Sequence, residues 1–136
     1  MNNKSKASET NNTIPVHHVG VDISKDELVA DLPEGVRTMK RNEQGIAELM
    51  GKLPANTQVI CEATGGYEKP LVRALHKAGI KVSVVMAWRV RAYAISQGIL
   101  AKSDPIDAAL LSRYGRNSEK LHETKPPAPE VEKLRE

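Results

Sequence analysis

At 136 residues the chain is long enough for one domain with its own core, and 40% apolar residues make it globular over most of its length. Aromatic residues are 3% and Phe is absent, so the core must rest on Val, Ile, Leu, Ala and Met, and the composition argues against a base-stacking platform of the kind used on single strands. A net charge of +3 permits nucleic-acid contact without demonstrating it, a single cysteine excludes an internal disulfide and a multi-cysteine zinc site, and no apolar run is long enough to span a bilayer.

Residues 1–15 are polar, lack the apolar centre of a signal peptide, and read as a disordered tail. The expected location is cytoplasmic. VHHVGVD (16–22) reads as a strand that becomes buried toward its acidic end. Strands over 27–31 and 35–41 follow, separated by turn chemistry at 24–26 and 33–35, which makes a three-stranded antiparallel meander. Asn42 is placed to cap a helix through Met50, with Ile46, Leu49 and Met50 inward. QVICE (58–62) is a buried strand that again ends in an acid, and its neighbour Cys61 reads as structural rather than nucleophilic. After the loop ATGG, a helix over 67–78 points Leu71, Val72 and Leu75 inward and stops at Gly79. KVSVVM (81–86) is the next strand, and the basic stretch WRVRAYAISQG crosses from it to a helix running from Pro105 to near Gly115. The order is β-β-β-α-β-α-β-α, an α/β domain over 16–116 whose later strands should be parallel. Residues 117–136 read as a linker, stiffened by prolines at 126, 127 and 129, and the start of a helix leading to an absent C-terminal region.

Four acids stand out. In AKSDPIDAALLSRYG, Asp104 and Asp107 lie three apart at the mouth of a helix, on one face. Capping and the helix dipole account for such a pair without any ligand. Taken alone the pair favours that structural reading; the sharper alternative is a divalent cation, since hard cations take carboxylate oxygens, waters and phosphate oxygens. Asp22 and Glu62 close two strands, and sites in open α/β sheets lie at the carboxyl ends of strands. Each has a plain alternative: Asp22 opens a turn through Ser24, and Glu62 caps the next helix or pairs with Lys69 or Arg73. Converged, the four would suit two metal ions about 3.5–4 Å apart, the arrangement used in phosphodiester chemistry.

GVDISK (20–25), EATGGYE (62–68) and AKSDPIDAALLSRYG (101–115) resemble, in order, the three motifs of the DEDD-type insertion-sequence transposases, a group that includes RNA-guided bridge recombinases and pilin-gene invertases. The resemblance covers about 17–129. It implies a RuvC-like, ribonuclease-H-type fold and an acidic tetrad of Asp22, Glu62, Asp104 and Asp107 holding Mg2+ (or Mn2+) at a cleavage site. DNA is the implied substrate, a guide (bridge) RNA a further partner, and a homo-oligomer the implied state of the full-length protein. Ser103 stands where the family usually has threonine, and Pro105 where it often has a basic or polar residue. Family members continue into a second domain with a catalytic serine, so this chain is expected to be incomplete alone for strand exchange.

Around the acids, Gly65 and Gly66 permit positive φ and close approach of a phosphate, or simply make a turn. Lys102, Arg89, Arg91, Arg113 and Arg116 are candidate phosphate contacts, Lys102 foremost, against the alternative of an ordinary solvated face. Tyr67 is placed to stack, hydrogen-bond or pack. His17 and His18 point to opposite faces of a strand and make a poor metal pair. The competing readings are an actin-like ATPase or sugar kinase, for which Gly65–Gly66 is a weak phosphate loop, a RuvC-type junction resolvase, and a non-catalytic nucleic-acid-binding or dimerisation fragment.

Overall fold

The computed structural model describes residues 17–99, 104–118 and 121–125. Five strands, β1 (His17–Ile23), β2 (Glu27–Leu32), β3 (Gly35–Lys40), β4 (Thr57–Glu62) and β5 (Lys81–Val85), form one mixed sheet in the order β3-β2-β1-β4-β5. The meander β1-β2-β3 is antiparallel, and β1, β4 and β5 are parallel. Among the described residues four helices cover the sheet: α1 (Glu43–Lys52), α2 (Lys69–Lys77), α3 (Ala87–Ser96) and α4 (Asp104–Asn117). This is an α/β fold of the ribonuclease-H type.

Strand alternation divides the core in two. Val19, Val21 and Ile23 of β1 point with Val59 and Cys61 of β4 toward Ile46 and Leu49 of α1 and Leu71, Val72 and Leu75 of α2. Ile60 and Val85 belong to a second cluster on the opposite face, with Val90 and Ala94 of α3 and Leu110 and Leu111 of α4. Each such aliphatic side chain contributes about 1.5–3 kcal/mol on burial. Helix α1 starts where expected, the Asn42 side chain accepting from the Gly45 N–H at 2.8 Å.

Two features differ from the sequence expectation. The basic stretch after β5 is not a crossing loop but helix α3. It starts without a capping side chain and buries only Val90 and Ala94, so it carries neither of the usual signals. Residues 121–125, within the stretch expected as a linker, lie along β5. The Thr124 N–H donates to the Val82 carbonyl at 2.7 Å, and the Val84 N–H donates to the Thr124 hydroxyl at 2.9 Å. The Ser83 hydroxyl donates to the His122 carbonyl and accepts from the Gln58 amide at 2.6 Å. Among the described residues no helix is long and apolar enough to cross a membrane. The expected N-terminal tail and the helix start after the prolines lie outside the described residues.

Candidate functional site at the carboxyl edge of the sheet

β1 and β4 are neighbours with a constant offset of 40 between partners, from His17↔Thr57 to Gly20↔Ile60. The same offset brings Asp22 level with Glu62, at the carboxyl ends of two parallel strands. Both are half-buried, and they share a face with Gly20 and Ile60, the face that α4 covers.

Helix α4 is seated on β1 by close backbone approach. A Cβ built on Gly20 would lie 2.1 Å from the Ala108 carbonyl oxygen and 2.6 Å from both Leu111 Cβ and the Ser112 nitrogen. The Gly20 N–H donates to the buried Ser112 hydroxyl at 2.7 Å. At the other end of the helix, Gly115 sits against Ile60 and His18. Two residues up a strand span about 6.6 Å, and four along a helix about 6 Å. Moving from His18 to Gly20 therefore moves back along α4 from Gly115 to about Leu111, and the next step, Asp22, comes level with the first turn. Asp107 stands there, half-buried, one turn before Leu111, and Asp104 is the first residue of the helix.

The fold thus brings Asp22, Glu62 and the start of α4 to one edge. Asp22, Glu62 and Asp107 each take part in an interaction within the fold. Among the described residues no three His, Cys, Asp or Glu side chains close on one point in the manner of a metal site. The Asp104 side chain, Ser103 and Lys102 lie outside the described residues. The donor chemistry at this edge is carboxylate oxygen, which fits a hard divalent cation and no soft metal.

The loop after Glu62 is shaped by its glycines. Gly65 and Gly66 have φ of +78° and +126°, and nothing lies within 4 Å of a Cβ built on either. The Glu68 carboxylate closes this turn, accepting from the Thr64 hydroxyl at 2.7 Å, the Thr64 N–H at 3.1 Å and the Gly66 N–H at 3.2 Å. Burial alone would raise the Glu68 pKa. The hydrogen bonds from the Thr64 hydroxyl and the backbone N–H groups of Glu68, Thr64 and Gly66 outweigh it and hold the carboxyl below its ordinary value. A depressed folded-state pKa stabilises the fold fully above the unfolded value, about 4.3, and the contribution is lost as pH falls through the folded value. Melting temperature measured against pH should therefore fall less steeply in acid for Glu68→Gln than for the wild type.

Burial pushes the Cys61 thiol up to about 12, with the charges of Glu68 and Glu62 adding to it, so this thiol is unreactive and structural. Tyr67, 41% exposed, lies under the Arg41 guanidinium at 4.8 Å. Of the candidate phosphate contacts, Arg89 and Arg91 are exposed on α3. Arg113 is exposed on α4 and donates to the Gln97 side chain at 3.3 Å. Arg89 also lines a cavity of about 630 Å³ with Met86, Tyr114 and His122. Arg116 lies at the opposite end of the sheet, beside His17 and His18. Burial, with the charges of Arg116 and His17, lowers the His18 pKa, and this end of the sheet is remote from the acids.

Sequence reasoning passed over two residues that shape this edge. Ser112 belongs to the stripe Ala108–Leu111–Ser112–Gly115, whose small members mark a helix pressed onto a backbone. Glu68 follows a glycine pair, where free N–H groups call for an anion.

Comparison with known proteins agrees with this architecture. The family model of the IS110-type DEDD transposases, described as "Transposase", matches residues 19–136. A pilin gene-inverting protein of Moraxella bovis is 37% identical over 108 residues, covering 72% of this chain and 34% of the relative. The pilin gene-inverting protein of Moraxella lacunata matches to the same extent. The chain spans about a third of the length of these curated relatives. With a family match over nearly its whole length, the chain belongs to the IS110-type DEDD transposases.

Proposed function

We propose that this chain is the N-terminal catalytic half of a DNA recombinase, in which Asp22, Glu62, Asp104 and Asp107 hold divalent metal for strand cleavage. What supports the reading is the parallel β1–β4 register through Gly20↔Ile60, which continued two residues sets Asp22 beside Glu62, together with the close seat of α4 on Gly20. Magnesium or manganese, when bound, supplies activation of the attacking oxygen and charge stabilisation of the leaving oxygen. The chain's own part is rigidity. Two carboxylates stand on hydrogen-bonded strands, and the Gly20–Ser112 contact fixes the helix that brings the aspartates. The Thr64–Glu68 turn positions the segment after Glu62, and open space over Gly65 and Gly66 leaves room for a phosphate backbone. Arg89 and Arg91, exposed on the helix that follows β5, supply positive charge near this edge, and Lys102 and Arg113 are proposed from the sequence to add to the phosphate contacts.

The reading assigns to this chain only the acidic half of the chemistry. The serine nucleophile, oligomeric assembly and guide RNA that the family resemblance implies lie outside this reading. Metal binding tests the acidic half directly. Manganese titrated into the chain with a short DNA duplex, followed by electron paramagnetic resonance of the free ion, should bind. Glu62→Gln should weaken that binding about tenfold or more. Equal binding by wild type and variant would sink the reading.

A further inference from the structure

Helix α3 presents an unusual outer face. Trp88, the chain's single tryptophan, is 63% exposed, Ile95 on the same face is 65% exposed, and Met86 just before the helix is 54% exposed. Exposed apolar side chains are ordinary one by one, but a tryptophan and an isoleucine on one helical face offer apolar contact area to another molecule. The helix contains two arginines, Arg89 and Arg91, and no acidic residue. The Arg89 guanidinium lies 5.1 Å from the Trp88 ring centroid, so a cation is held beside the indole. The face begins at the acidic edge, because Val85, the residue before Met86, pairs with Glu62.

We propose that the start of α3 holds an unpaired nucleic-acid strand, Trp88 stacking on a base while Arg89 and Arg91 take the adjoining phosphates. The inference rests on the DNA reading above and adds to it where the strand lies as it reaches the acids. Aromatic stacking is indifferent to sequence, since every base offers a π-face, and arginine meets phosphate by charge-assisted hydrogen bonds. The alternative occupant, a second copy of this chain, fits less well. A two-fold interface is self-complementary, so pairing on this face would set the same arginines against each other. The scarcity of aromatic residues argued against a stacking platform, but composition does not say where the one indole stands, and it stands in solvent at the site's rim.

The single tryptophan makes the test direct. The 136-residue chain is titrated with a deoxythymidine oligonucleotide in EDTA, so that no cleavage chemistry enters, and Trp88 emission is followed. The expected result is saturable quenching. Anisotropy of a labelled oligonucleotide should show an affinity loss of about fivefold or more for Trp88→Ala, with Trp88→Phe keeping most of it. Arg91→Ala should lower the slope of log affinity against log salt by about 0.7. Nucleic acid bound with Trp88 emission and Trp88→Ala affinity unchanged overturns the α3 assignment and leaves the DNA reading standing. Protein-concentration-dependent emission with self-association that Trp88→Ala abolishes, and no response to the oligonucleotide, also overturns it in favour of a chain–chain interface. Failure to bind single-stranded or duplex DNA at all removes both readings.

Discussion

Gly20→Ala is expected to cost this chain about 3 kcal/mol or more, read as a large fall in the urea midpoint. The added methyl would meet the Ala108 carbonyl oxygen at 2.1 Å and the Ser112 nitrogen at 2.6 Å. Both are backbone atoms of a helix, so no side-chain rotation relieves the clash, and α4 must lift from β1. Overpacking usually costs about 1–3 kcal/mol when side chains can adjust, which makes that range a floor here. Lifting the helix also breaks the Gly20–Ser112 hydrogen bond and leaves a buried N–H without its partner. Against a total of about 5–15 kcal/mol for a domain, this brings the chain close to unfolding. Ser112→Ala, which removes the hydrogen bond without the clash, should cost about 1–3 kcal/mol. A Gly20→Ala midpoint equal to wild type would mean that α4 does not sit as described.

The second large effect concerns chemistry rather than stability. On the proposed metal-binding role, Asp22→Asn and Glu62→Gln, introduced into a recombinase of the relatives' full length, should each lower metal-dependent DNA cleavage by at least about a hundredfold. Losing a residue that merely supports a metal ligand costs about 10–100-fold, so losing a ligand, as the proposal makes Asp22 and Glu62, costs no less. Both substitutions keep the shape of the side chain, and both residues lie only half-buried at strand ends. Melting temperature should therefore stay within a few degrees of wild type, which separates lost chemistry from lost fold. Arg37→Ala, on the exposed edge strand β3, is the control and should cleave as wild type. Full cleavage by Glu62→Gln would take Glu62 out of the proposed metal site.

Much of this was legible in the sequence because the signals were local. The strand end at Glu62, that near Asp22 (one residue further on, at Ile23), the Asn42 cap and the inward faces of α1 and α2 follow from periodicity and turn chemistry. That β1 and β4 are neighbours was conditional on the sequence, because pairing across the meander depends on how distant segments meet. Strand ends suggested that the acids could converge, and the family resemblance implied a tetrad of them. Helix α3 was missed because a helix that buries only Val90 and Ala94 has almost no apolar stripe. Ser112 was missed because its partner, Gly20, lies 92 residues away. A hydrogen bond at that separation leaves no mark on either neighbourhood.

The segment 121–125 has a consequence for the life of this protein at high concentration. A sheet has two borders, each a row of backbone groups that a neighbouring molecule can copy. At the β3 border the charges of Arg37 and Lys40 discourage such pairing. At the β5 border Thr124 and His122 occupy part of the ladder before any neighbour reaches it. The chain thus guards one side by charge and the other by self-occupancy, the latter through a short stretch that its composition marks only as a connector.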